Sequence, residues 1–182
     1  MLELALHILD IVENSVRAGA TLIGIRIRED RSKDRFLMRI TDNGDGMTPG
    51  ERKRALDPFY TTKKVRRVGL GLPLLSEAAG RTGGKMSLRS NPGTGTVVEA
   101  VFGLSHIDRQ PMGDIVMTLI TIIVGNPGID LIYAHEVDGR EYLLDTRDIK
   151  KALEDVPLNH PEVTGFLREH ITEGLTDIGA SA

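Results

Sequence analysis

The stretch Thr41-Asp42-Asn43-Gly44-Asp45-Gly46-Met47 sets a carboxylate beside two glycines. Gly44 and Gly46 allow positive φ and a close approach of backbone to a ligand, and Asp42 offers an acceptor suited to an exocyclic amine. The same letters would serve a hairpin turn or a calcium loop, although the regular acidic ladder and terminal Glu of the latter are missing. A second stretch, Val68-Gly69-Leu70-Gly71-Leu72-Pro73, places two glycines ahead of an apolar helical pattern with Pro73 in its first turn. The first amides of a helix lack partners and its dipole favours negative charge, so this is an anion site. It is not a Walker A loop, which needs Gly-Lys-Ser/Thr. Nor is it a full dinucleotide fingerprint, because Leu74 stands where the third glycine would be. A third set is Asp10, Asn14 and Arg17, which project from one face of a helix at spacings of four and three.

The elements that must position these groups follow from periodicity. Leu2, Ala5, Ile8, Leu9, Val12 and Val16 recur at helical spacing and predict an amphipathic helix ending near Gly19. Thr21–Arg28 and Phe36–Ile40 alternate as two strands of a hairpin, with Asp42 just past the second. The region from Pro49 to Arg67 is basic and poorly periodic and reads as a loop in which Phe59 and Tyr60 could anchor and lysines such as Lys63 could reach phosphates. Lys85–Ser90 and Thr96–Phe102 form another hairpin around Asn91-Pro92-Gly93-Thr94-Gly95. The predicted fold of residues 1–104 is an α+β two-layer sandwich, a mixed sheet with helices on one face.

Residues 105–182 read as a small acidic α+β module: a helix from Asp114 to Gly125, strands 129–137 and 140–144 around Asp138-Gly139, a helix to about Asp155, and a last helix from Pro161 to Gly174. His135, His160 and His170 lack metal-like spacing and read as packing or surface residues. Lys+Arg exceed Asp+Glu by five up to Leu104 and fall short by eight after it, so a basic part precedes an acidic one. The basic part suits a polyphosphate; few aromatics and no Trp argue against a base-stacking nucleic-acid platform. No cysteine is present, which excludes thiolate chemistry and fits a reducing cytoplasm. The longest apolar run, 115–124, is about half the ~18 residues of a bilayer span, so no membrane partner is expected.

Taken together, the helix and three glycine loops occur in an order that resembles the nucleotide-binding domain shared by gyrase, heat-shock chaperones, histidine kinases and mismatch-repair ATPases, and is closest to the histidine kinase-like type. Leu9–Ala18 looks like its N box, Asp42–Gly46 like the first glycine box, Gly69–Leu72 like the second and Gly93–Thr96 like the third; Asp57–Lys63 is similar to the phenylalanine box of sensor kinases. The resemblance covers about Leu2 to Phe102. It implies ATP as cofactor, with Asn14 holding Mg²⁺, Arg17 and Lys63 near phosphate, and Asp42 accepting from the adenine amine with Thr96 in support. Gly44, Gly46, Gly69, Leu70, Gly71 and Leu72 would line the nucleotide, under a lid from Thr48 to Val68. An amide oxygen suits Mg²⁺, which takes hard ligands and phosphate oxygens.

Two departures bear on mechanism. Asp10 stands where the hydrolysing branches carry a glutamate that orients water or a hydroxyl, and it is one methylene shorter; it is the candidate general base. No phosphoacceptor hairpin or leading strand fits ahead of the N-box helix. Ser105–Pro111 faintly resembles a kinase histidine box around His106, in the wrong order, and reads as a linker. The expectation is therefore a stand-alone signalling protein kinase or slow ATPase; the alternative is a nucleotide-switched regulator without turnover. Either form implies a protein partner, and a homodimer is possible.

Overall fold

Alternation in the first strand decides how the sheet is covered. In β1 (Leu22–Asp30) Ile23, Ile25 and Ile27 are buried, while Arg26 and Arg28, on either side of Ile27, are exposed. The computed structural model describes residues 3–57, 71–154 and 156–181. Before β1 lies α1 (Leu4–Arg17), and after it come β2 (Arg35–Asp42), α2 (Pro49–Ala55), α3 (Gly71–Arg81), β3 (Lys85–Asn91) and β4 (Gly95–Gly103). The chain continues through α4 (Ile115–Gly125), β5 (Asp130–Val137), β6 (Arg140–Asp145), α5 (Thr146–Leu153) and α6 (Pro161–Ile178). These make an α+β sandwich.

The sheet has six strands in the order β3-β4-β2-β1-β5-β6. β1 pairs parallel with β5, and every other pairing is antiparallel, so the sheet is mixed. The C-terminal α+β elements are present, and their two strands continue the sheet through β1. A parallel pair needs a crossover, and α4 lies in the connection between β4 and β5. Its start is capped by Asp114, whose side chain accepts from the Met117 amide.

One face of the sheet carries Ile25, Ile40, Val98, Tyr133 and Leu144 in register, all buried. Against it α1 sets Leu4, Ile8 and Val12, α4 sets Leu119 and Ile123, and α6 sets Leu167 and Ile171. Phe36 and Phe102 meet edge to face at 5.9 Å between ring centroids, a favoured aromatic geometry that fixes β2 against β4. Each such fully buried aliphatic or aromatic side chain contributes about 1.5–3 kcal/mol through removal from water.

Two elements differ from the periodicity reading. Residues 49–55 form α2 within the stretch expected to be loop. Its start is a full capping box, in which the Thr48 side chain accepts from the Glu51 amide and the Glu51 side chain accepts from the Thr48 amide, followed by Pro49. This short signal is independent of apolar period, and α2 buries no residue. The last helix also runs on past Gly174 to Ile178. Gly174 lies flat against the Tyr142 ring, where a Cβ would collide with ring carbons, so this glycine is a packing choice. The helix stops instead at Gly179, in the left-handed conformation with φ 70°.

Candidate functional site

The site is built where the ends of α1, β2 and β4 meet. Asp42 is the last residue of β2, and both of its oxygens are engaged. Oδ1 accepts from the Gly44 amide at 3.0 Å and from the Thr96 amide at 3.1 Å. Oδ2 accepts from the Ser15 hydroxyl at 2.7 Å. A carboxylate offers about four acceptor positions, so Oδ2 keeps one, and the half-exposed side chain can direct it at a ligand amine. Thr96 acts through its backbone; its hydroxyl lies 2.9 Å from that of Ser90.

The glycines of the loop are fixed by close backbone contacts. A Cβ at Gly44 would approach the Ala18 carbonyl oxygen to 2.7 Å. Gly46 has φ 70°, and a Cβ there would run into the Asn91 carbonyl. Two hydrogen bonds stitch the loop to its neighbours, Asp45 N to Ala18 O at 2.8 Å and Gly93 N to Asp45 O at 2.7 Å. The first and third glycine loops are thereby one unit.

On α1, His7, Asp10 and Asn14 share a face. Asn14 is exposed, and its Oδ1 accepts from Arg17 Nη2 at 2.8 Å. Arg17 folds back along the helix, donating to the Glu13 carbonyl at 3.0 Å. Asp10 lies against Gly71, the first residue of α3: a Cβ there would collide with the Asp10 carboxylate. A glycine at the start of α3 is what lets that carboxylate sit at the helix N-terminus. Leu72, the next residue, packs partly against the core. Asp10, Gly71 and Leu72 are thus together, as are Asp42, Gly44, Gly46 and Thr96. Lys63, Gly69 and Leu70, with Phe59, Tyr60 and most of the expected lid, lie outside the described residues.

Three residues of this site were not singled out from sequence. Ser15 orients Asp42, and its signal was only that a serine follows Asn14 on the buried side of α1. Asn43 accepts from the Thr21 and Leu22 amides, both at 2.9 Å, and so clamps the β1 start beneath the loop. His7 is buried, its Nε2 3.0 Å from Gln110 Oε1 and its Nδ1 without a hydrogen bond. Burial pushes its pKa below the ordinary histidine value, against the opposing effects of Gln110 and the Asp10 carboxylate. The neutral ring therefore stands one turn before Asp10. His106 is exposed in the turn after β4, where its Nδ1 accepts from the Asp108 amide at 3.1 Å. Among the described residues no cluster of His, Asp and Glu could hold a metal without further ligands.

A helix bearing an asparagine, a strand-end aspartate held between two glycine loops, and a third glycine at a helix start on one face of a mixed sheet define a nucleotide-binding ATPase fold. The chain belongs to the histidine kinase-, DNA gyrase B- and HSP90-like ATPase family, whose model matches residues 2–106. Among curated relatives, a putative sensor protein of Shewanella frigidimarina is 30% identical over 103 residues, 56% of this chain and 16% of that protein. The alginate biosynthesis sensor protein KinB of Pseudomonas aeruginosa is 33% identical over 87 residues, 47% of this chain and 15% of KinB. The matched segments thus span about a sixth of the length of these relatives. In fold, the chain is similar to the Aquifex aeolicus MutL ATPase domain complexed with ADP, with TM-score 0.52, 14% identity, and coverage of 93% of this chain and 88% of that one. It is also similar to the N-terminal domain of a DNA repair protein, with TM-score 0.55, 16% identity and coverage of 96% and 59%. The chain carries an ATP-binding, histidine kinase-like domain.

Proposed function

We propose that this chain binds Mg-ATP and uses it either to phosphorylate a protein partner or to hydrolyse it slowly, as a signalling component of the cytoplasm. The observation that carries the reading is the Asp42 carboxylate, held by Ser15, Gly44 and Thr96 with one acceptor position left. That position reads the adenine amino group. The donor set fits the rest of the ligand: Asn14 offers an amide oxygen to Mg²⁺, and the start of α3 at Gly71 offers helix amides to phosphate. Arg17 has to leave its contacts with Asn14 and Glu13 to meet phosphate, and the resemblance assigns the same charge to Lys63. ATP supplies an activated phosphoryl group, and the protein's part is to position and stabilise it.

Asp10 decides between turnover and a pure switch. Its carboxylate stands at the N-terminus of α3, where it orients the attacking water or hydroxyl. Calorimetry with Mg-ATP and Mg-ADP tests binding; Asp42→Asn should weaken it at least tenfold and blunt the preference for adenine over guanine. No detectable binding by the wild-type protein would sink the proposal. Steady-state phosphate release tests catalysis: Asp10→Asn should lose turnover while keeping affinity. A wild-type protein that binds ATP yet releases no phosphate and labels no partner is instead a nucleotide-switched regulator.

A further inference from the structure

Helix α6 carries two faces. Val163, Leu167, Ile171, Leu175 and Ile178 are buried against the sheet and α4, as its apolar period requires. Glu162, Phe166, Glu169 and Glu173 stand at steps of four, three and four, so they share a second face, and all four are exposed. Phe166 is the exception in this charged row, with 59% of its surface in water. Single exposed apolar residues are common, but this ring is held in place. It stacks on His170, with centroids 5.7 Å apart and planes within 5°, and His170 meets Tyr142 edge-on at 5.6 Å. Tyr142 itself is buried, with Gly174 of α6 flat against its ring.

Phe166 also forms one wall of a groove of about 540 Å³ between the end of α5 and the start of α6. Leu153, Val156, Pro157 and Val163 supply the rest of its apolar lining, with His160 and Glu162 as its polar members. Val156 leaves 45% of its surface in water. Gly165, next to Phe166, has open space around it; a glycine inside a helix is disfavoured relative to alanine, but here it lets a second backbone come close. Charge fixes the sign of what the groove accepts. Residues 154–177 hold six Asp and Glu against the single base Arg168, which projects about 100° or more away from the glutamate row. Among the described residues Glu162, Glu169 and Glu173 make no ion pair, whereas Lys150 and Lys151 on α5 are neutralised by Asp130 and Asp148.

We propose that this groove and its glutamate row dock a basic amphipathic helix of a partner protein. The three free carboxylates repeat at helical spacing over about 16 Å, so the segment that matches them is itself a helix lying along α6. Its Lys or Arg side chains, at the same steps, meet Glu162, Glu169 and Glu173. One apolar side chain between them enters the groove beside Phe166, where burial of the exposed ring and of Val156 adds to the charge pairing. Docking and nucleotide binding are separable, because α6 packs on β5 and β6, and β6 lies three strands from β2 with its Asp42.

Fluorescence anisotropy on the whole chain without nucleotide tests this. The probe is a fluorescein-labelled peptide of about 16 residues, built from Leu and Lys with Leu recurring at helical spacing. It should bind with a dissociation constant of about 10–100 μM in low salt. The same peptide with Glu in place of Lys should not bind, and one of equal composition in which Leu and Lys alternate should bind about tenfold more weakly. Phe166→Ala should weaken the helical peptide about tenfold or more, as should Glu162→Lys/Glu169→Lys. Val156→Ser, on the other wall of the groove, should give a loss in the same direction without altering α6. Thermal melting of each variant shows that the fold is kept. A wild-type protein that does not bind the peptide overturns the proposal. So does binding that falls with the glutamates but ignores Phe166 and Val156, since charge alone then accounts for it. Sedimentation equilibrium without peptide covers the other occupant: self-association abolished by Phe166→Ala would give the groove to a second copy and overturn the proposal equally.

Discussion

At the scale of single residues, Asp42, the proposed adenine reader, is defined as much by its holders as by itself. Asp42 is one strand-end carboxylate, and such groups at loops are common. What distinguishes it is that three donors from α1, the loop and β4 converge on it. The Ser15 hydroxyl also lies 3.2 Å from the Ile11 carbonyl, but its single proton serves the nearer carboxylate at 2.7 Å. Ser15→Ala should therefore cost about 1.5–3 kcal/mol, the range for a hydrogen bond to a charged group, read as a lowered urea midpoint. The same variant should weaken ATP by about tenfold in calorimetry, because the freed Oδ2 swings away from its set direction. Unchanged affinity would mean that the two backbone amides are enough to aim Asp42.

At the scale of elements, what could be read from the residues is what local rules determine. The α1 stripe, the alternation of β1 and β2, the Asp114 cap and the Asp138-Gly139 turn, with φ of 49° and 87°, are each set by a few neighbouring positions. So is the order of the glycine loops. The pairing of β5 with β1 was not legible, since no local feature of Asp130–Val137 names its partner across about a hundred residues. Neither was Ser15, whose role exists only once α1 lies beside the end of β2. The glycines show both sides: Gly46 is a loop letter in sequence and a backbone contact in three dimensions. Gly46→Ala should cost about 1–2 kcal/mol for its positive φ alone, with more from the collision with the Asn91 carbonyl. Denaturant unfolding should show a loss of at least that size, accompanied by loss of nucleotide binding, because Gly46 joins the first and third loops. Gly50, with open space around it and no positive φ, should tolerate the same change.

At the scale of the molecule, a buried polar chain ties the C-terminal residues to the central strand. Glu29 of β1 accepts from His135 Nε2 at 2.8 Å, from the Ser181 amide at 3.0 Å and from the Ser181 hydroxyl at 2.7 Å. His135 Nδ1 in turn accepts from the Tyr133 hydroxyl at 2.7 Å, and burial holds that phenol protonated by raising its pKa well above the usual value. Burial alone would raise the pKa of Glu29, but the bonds from His135 and Ser181 outweigh it and hold the group below its ordinary 4.5. A carboxylate with a depressed folded pKa contributes stability that is present above the unfolded value and is lost as pH falls through the folded one. Ser181→Ala removes one of the bonds that depress it, so the folded pKa of Glu29 rises towards or past its unfolded value. The variant should be less stable than wild type by about 1.5–3 kcal/mol at pH 7. That gap should narrow as the pH is taken below about 4.5, where the carboxylate becomes protonated in the unfolded chain and its bonds lose their charge assistance. Urea titrations of both proteins at pH 7 and pH 4 measure it. A gap of equal size at the two values would show that Ser181 holds the C-terminus by packing, with Glu29 a bystander; a narrowing gap makes the Glu29 carboxylate the group that holds Ser181 to the sheet, beside the bonds from Arg31 to Gly179 and from Arg140 to Asp177.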